Sequence, residues 1–118
     1  MSDKISAFFE AWGEADAGAR SAAIRAAVAP DIYYADPRSP EPITDVEALL
    51  GYVGMFSEMA PGATVQVVRS DEVQGAFRVA IAFGMADGNS QHGQYFVEVD
   101  GDGLVTKMVG FVGFGVPE

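Results

Sequence analysis

Apolar positions follow a helical period in the first half of the chain and a strand period in the second. Ile5, Phe8, Phe9 and Trp12 fall at i, i+3, i+4 and i+7. That spacing predicts an amphipathic helix over Asp3–Glu14 with an aromatic inner face, capped at Ser2 or Asp3. Gly18 loosens the connection to an alanine-rich second helix, Ala19–Ala29, whose apolar side carries Ile24 and Val28 and which Pro30 stops. Ile32–Asp36 is short and rich in tyrosine, which suits a strand. Pro37, Pro40 and Pro42 then exclude regular structure, because each removes a donor and fixes φ. Thr44 and Asp45 offer cap oxygens for a third helix over Asp45–Met59, with Val46, Leu49, Leu50, Val53 and Phe56 inward and Pro61-Gly62 ending it.

Downstream, the pattern turns to strands. Thr64–Arg69 is the first, closed by a polar turn over Ser70–Glu72. Phe77–Met85 alternates cleanly, with Phe77, Val79, Ile81, Phe83 and Met85 on one face. Asp87-Gly88-Asn89 signals a hairpin, and Gln91–Val99 follows with Tyr95, Val97 and Val99 sharing a face. Asp100-Gly101-Asp102-Gly103 turns the chain again before Leu104–Phe114. Helices followed by an antiparallel meander make an α+β domain over residues 1–118, with three helices on one face of a curved antiparallel sheet. Phe96 and Phe114 lie on the face opposite the core set. That surplus predicts a covered outer face and hence a homodimer formed through it.

Composition narrows the field of partners. With 49% hydrophobic residues in 118, the chain can bury a core without staples, and the absence of cysteine excludes disulfides and thiolate metal sites. The net charge of −10 and seven singly scattered basic residues disfavour nucleic acid and anionic membrane surfaces. No signal-like N-terminus or membrane-length apolar run is evident, so a cytoplasmic location is expected. His92 is a lone histidine, so no metal is expected. The Asp100–Gly103 turn lacks the closing acid of a calcium loop, since Phe111 stands there. Gly110, Gly113 and Gly115 form no dinucleotide fingerprint, and no cofactor is expected.

Candidate chemistry gathers around Asp36. It ends a short strand beside tyrosines and ahead of Pro37, where it would project into the mouth of an apolar cavity as a general base. The competing reading is an exposed turn residue whose side chain bonds its own loop. Tyr95, on an inward strand face, is a donor for a developing enolate oxygen or else a core tyrosine with a backbone partner. Alternation puts Tyr34 on the same side as Asp36. Trp12, Tyr52, Phe56, Phe83, Met85, Met108 and Val112 would line a ligand-sized apolar space, or be ordinary core.

The segment Asp36-Pro37-Arg38-Ser39-Pro40-Glu41-Pro42, the strand from Ala76-Phe77 to Met85 and the Asp100–Gly103 turn carry a family likeness. In that order they resemble the nuclear-transport-factor-2-like superfamily, in its SnoaL-like and ketosteroid-isomerase-like branch, over almost the whole chain. The resemblance implies a strongly curved sheet forming a cone-shaped pocket for a small hydrophobic molecule. It also implies that Asp36 matches the isomerase's proton-shuttling aspartate. Tyr95 stands where the isomerase has a protonated aspartate and many SnoaL-like enzymes have a catalytic one. Phe8 stands where the family has a first-helix tyrosine, so that phenol is absent, and Tyr33 or Tyr34 is the expected substitute. The activity implied is proton transfer α to a carbonyl. The alternatives are a non-catalytic binder of the same fold and an epoxide hydrolase. The last needs a second acid and an arginine in the pocket, whereas Arg38 is on the loop and Arg78 faces outward by alternation.

Overall fold

A computed structural model describes residues 3–113 of the chain. The elements in order are α1 (Asp3–Ala11), α2 (Ala17–Ala27), β1 (Val28–Ala35), α3 (Val46–Met59), β2 (Thr64–Val73), β3 (Ala76–Gly84), β4 (Ser90–Val99) and β5 (Val105–Val112). They build the expected α+β architecture, with the sheet in the order β1-β5-β4-β3-β2.

The aromatic stripe of α1 does what its spacing predicts. Ile5, Phe8, Phe9 and Trp12 are all buried, with Trp12 held just past the helix by its N–H to the Phe9 carbonyl at 3.1 Å. Burial of each such side chain contributes roughly 1.5–3 kcal/mol, so this face fixes α1 on the sheet. Asp45 caps α3 by accepting from the Ala48 N–H at 2.8 Å, and Leu49 and Val53 reach the core from it. Asp16 caps α2 in the same way through Ala19, which the sequence pattern did not reveal. The expected cap at Ser2 or Asp3 and the expected outer-face residue Phe114 lie outside the described residues and side chains.

Three features depart from the sequence pattern. First, the sheet is mixed rather than antiparallel throughout, because β1 pairs parallel with β5. β1 leaves α2 without a turn, α3 carries the chain to the far edge, and four alternating strands from there return β5 alongside β1. Second, α2 ends at Ala27 and Pro30 lies inside β1. An edge strand tolerates the missing donor, and the register shifts between Val28 and Tyr33. Third, β2 runs on through Ser70–Glu72, and the hairpin turns at Gln74-Gly75, where φ is 49° and 87°. Two successive positive φ values are the signature of the tight turn that matches strand twist. Asp71 faces Arg78 across the ladder and accepts from both Arg78 and Arg69, so a polar run there holds a strand.

Register shifts between Val67 and Arg69 and between Glu98 and Val99 bend the sheet, which curls without closing. The helices pack on one side of it, α1 against β2 and α2 and α3 against β1. Val73, Phe96 and Phe111 stay exposed. Among the described residues no helix is long and apolar enough to cross a membrane.

Candidate functional site

Asp36 leaves the end of β1 into the proline loop, and the loop is folded back on the strand. Tyr34 and Ile43 exchange both backbone hydrogen bonds, N–H to O at 2.8 and 2.7 Å, which returns the chain beside β1. Inside that loop Asp36 Oδ1 accepts from the Arg38 and Ser39 N–H groups, each at 2.8 Å. The Ser39 hydroxyl donates back to the Asp36 carbonyl at 3.1 Å. Pro37 supplies the fixed φ that such a turn needs. The turn reading of Asp36 is therefore correct as far as one oxygen goes.

The second oxygen faces inward. The Tyr34 hydroxyl donates to Asp36 Oδ2 at 2.6 Å, and the Tyr52 hydroxyl of α3 sits 2.7 Å from both carboxylate oxygens. Behind them the Tyr34 and Tyr95 hydroxyls lie 2.7 Å apart. An ionised carboxylate only accepts, and a phenol has one proton. With Tyr34 donating to Asp36, Tyr95 must donate to Tyr34. The result is a directed chain from β4 to β1 to the loop, joined from the side by α3.

Burial above all holds these phenols in the protonated form. Tyr34 and Tyr95 are buried, Tyr52 half-buried, and in each desolvation is the first cause raising the pKa well above 10. The negative charge of Asp36 adds to this in all three. The three phenols therefore keep their protons across the whole physiological range, and all three protons are engaged in the chain that ends on Asp36.

Of the expected substitutes for the phenol missing at Phe8, Tyr34 is the one inside. Tyr33 is outward, with the Lys107 ammonium 5.2 Å from its ring centre. Phe8 is fully buried against Tyr34. Trp12 packs on Tyr34, Tyr52, Phe56 and Phe83 with centroid separations of 5.1–6.4 Å, and Met108 is buried. These rings pack together between the helices and the sheet, and of them Tyr52, Phe56 and Phe83 are half-buried. Met85 lies in the turn after β3, where its N–H bonds to the Asn89 carbonyl. Val112 does not line the interior. It is 80% exposed, because β5 ends there beyond the reach of the helices. Two grooves, of about 280 and 440 Å³, both lie on the outer sheet face around Asp71 and Arg78.

Gly110 was not legible as a site residue. A Cβ there would stand 2.7 Å from Tyr95 Cε2 and 3.2 Å from Asp36 Cβ, so only glycine lets the Tyr95 ring and Asp36 meet over β5. Ser39 carries no such signal in the sequence either, since its bonds to Asp36 exist only once the loop closes.

No protein-family model matches the sequence, and no curated protein matches it. The fold, by contrast, recurs among solved structures. A candidate isomerase of the SnoaL-like family from Agrobacterium tumefaciens superposes with a TM-score of 0.83 at 19% identity, covering 94% of this chain and 95% of that one. A protein with a ketosteroid-isomerase-like fold from Catenulispora acidiphila, in complex with trimethylamine, gives 0.77 at 14% identity, covering 95% and 86%. A candidate SnoaL-like polyketide cyclase from Jannaschia gives 0.73 at 16% identity, covering 92% and 82%. The chain has the nuclear-transport-factor-2-like fold. The likeness expected from the Asp-Pro segment holds at the level of architecture.

Proposed function

We propose that the concave face binds a small hydrophobic carbonyl compound and that Asp36 takes a proton from the carbon α to that carbonyl. The observation that carries this is the Asp36 carboxylate held at the rim by phenols from two elements, Tyr34 and Tyr52, with Tyr95 behind. These donors fix the orientation of the carboxylate and aim it across the rim. As the C–H bond breaks, its electron pair moves to the carbonyl oxygen and its proton to Asp36. The neutral acid then needs its donors less, and the half-buried Tyr52 phenol is free to turn to the new enolate oxygen. Return of the proton to carbon completes an isomerisation or exchange.

The test is α-proton exchange in D2O on a panel of apolar ketones, 1-tetralone among them. Wild-type protein should exceed Asp36→Asn by about 100-fold or more. Equal rates in the two proteins would remove Asp36 as the base.

One observation favours a non-catalytic binder instead. The phenols of Tyr34 and Tyr52 already satisfy Asp36, and Phe8 supplies none. Tight ketone binding without exchange would select that reading. The epoxide hydrolase alternative loses Arg78, which pairs with Asp71 on the outer face. For partners, the exposed Val73, Phe96 and Phe111 support a homodimer through the outer sheet face. Sedimentation should give a dimer at micromolar concentration and a monomer for Phe96→Lys/Phe111→Lys. A monomeric wild-type protein would overturn it.

A further inference from the structure

Trp12 is the chain's single tryptophan, and its indole Nε1–H is buried without an acceptor. The residue is only 4% exposed. Buried donors are nearly always paired, so an orphaned one marks either a standing cost or a partner yet to arrive. Its surroundings are the rings of Phe8, Tyr34, Tyr52, Phe56 and Phe83. The two hydroxyls among them are already committed to Asp36. Three of those rings, Tyr52, Phe56 and Phe83, are half-buried, so this side of the cluster is the one that reaches solvent.

Two placements give this donor a purpose. Trp12 lies four residues after Phe8 on the same inward stripe, so the first-helix segment that lacks a phenol presents an N–H one turn later. Its ring also packs on both Tyr34 and Tyr52, the two residues that hold Asp36. A small ring system lying across those tyrosines can touch Trp12 and Asp36 at once.

We infer that the Trp12 indole N–H anchors the oxygen of the bound compound, and that the ligand class is therefore an apolar ketone or ester rather than a hydrocarbon or an amine. This rests on the reading of the concave face as a ligand pocket and adds the group that orients the ligand. With the oxygen fixed at Trp12, the α carbon is turned towards Asp36. The same N–H stabilises the enolate oxygen as charge develops on it.

A single tryptophan makes the test clean, because 15N-labelled protein has one indole N–H resonance. It is titrated with 1-tetralone and with tetralin, the same skeleton without the oxygen. The expected result is a downfield indole shift with 1-tetralone and none of comparable size with tetralin. Trp12→Phe should weaken 1-tetralone about tenfold while leaving tetralin within about twofold. Should that variant fail to fold, the wild-type indole shift still decides.

An indole signal that stays put, or moves equally with both compounds, while α3 and β3 amides report binding, overturns the anchor and leaves the pocket standing. Amides that respond to neither compound overturn the pocket and the anchor together. An indole shift that persists in Asp36→Asn, alongside undiminished α-proton exchange, removes the base and leaves the anchor standing.

Discussion

The Tyr34 hydroxyl lies 2.6 Å from Asp36 Oδ2, two residues along the same chain segment, and its other contact is the Tyr95 hydroxyl at 2.7 Å. A strand places residues i and i+2 on one face, and that alternation carries one residue past the end of β1 to Asp36. What the strand does not dictate is that Tyr95, from β4, should close the chain from the other side.

Tyr34→Phe removes the middle of that relay. It leaves the buried Tyr95 hydroxyl without its acceptor and Asp36 Oδ2 short of one donor. The expected cost is about 1–3 kcal/mol in urea denaturation. Tyr33→Phe, on the outward side of the same strand, should stay within about 0.5 kcal/mol. Equal losses in the two variants would mean that the relay adds nothing to stability.

On the proposed reading Asp36 both holds its own loop and takes the proton, and substitutions separate the two. Asn keeps an oxygen that can accept from the Arg38 and Ser39 N–H groups, whereas Ala keeps none. Both should lose α-proton exchange. Only Asp36→Ala should also lose the turn, at about 1–2 kcal/mol more than Asn and with faster amide exchange at Arg38 and Ser39. If Ala and Asn were equally stable, the side-chain turn would not be holding the loop.

How much of this was legible follows from what each residue depends on. The α1 stripe, the α3 cap at Asp45 and the inward Phe77, Val79 and Ile81 rest on local periodicity, and they stand where the pattern put them. Asp36 was legible as a choice between base and turn residue. It could not be resolved further because one carboxylate has two oxygens, and the loop turns them to different tasks. The parallel pairing of β1 with β5 is a contact between distant segments, invisible to any window. Val112 continues the alternation of Met108, yet a strand end has no helix above it. Tyr52 passes for apolar lining in the sequence, because the helical period reports which face a residue is on, not where its hydroxyl ends.

Gly110 tests whether the site's geometry is set by the backbone. Adding a methyl there meets the Tyr95 ring at 2.7 Å, and that ring is packed against Phe9 at 4.9 Å, so it has little room to retreat. Gly110→Ala should cost about 1–3 kcal/mol and shift the Tyr95 and Asp36 resonances. Gly51, on the exposed side of α3 with open space around its would-be Cβ, is the control. Gly51→Ala should raise stability by about 0.5–1 kcal/mol, since alanine is the better helix former.

The phenol network also sets an alkaline limit. Tyr34, Tyr52 and Tyr95 have pKa values raised in the folded protein, by burial first and then by neighbours that include the charge on Asp36. Unfolded tyrosines ionise near about 10. The folded state therefore binds more protons than the unfolded one above that pH, and stability falls as pH rises. The contribution is fully present below about pH 10 and is lost as pH climbs towards the folded values. Three such groups give a slope of up to about 4 kcal/mol per pH unit, with the half-buried Tyr52 contributing less than the other two. Absorbance at 295 nm should show these phenols ionising together with the loss of tertiary structure. In Tyr34→Phe/Tyr95→Phe the slope above pH 10 should shrink to the part that Tyr52 supplies. A slope unchanged in that variant would place the alkaline sensitivity elsewhere than in the hydroxyls that hold Asp36.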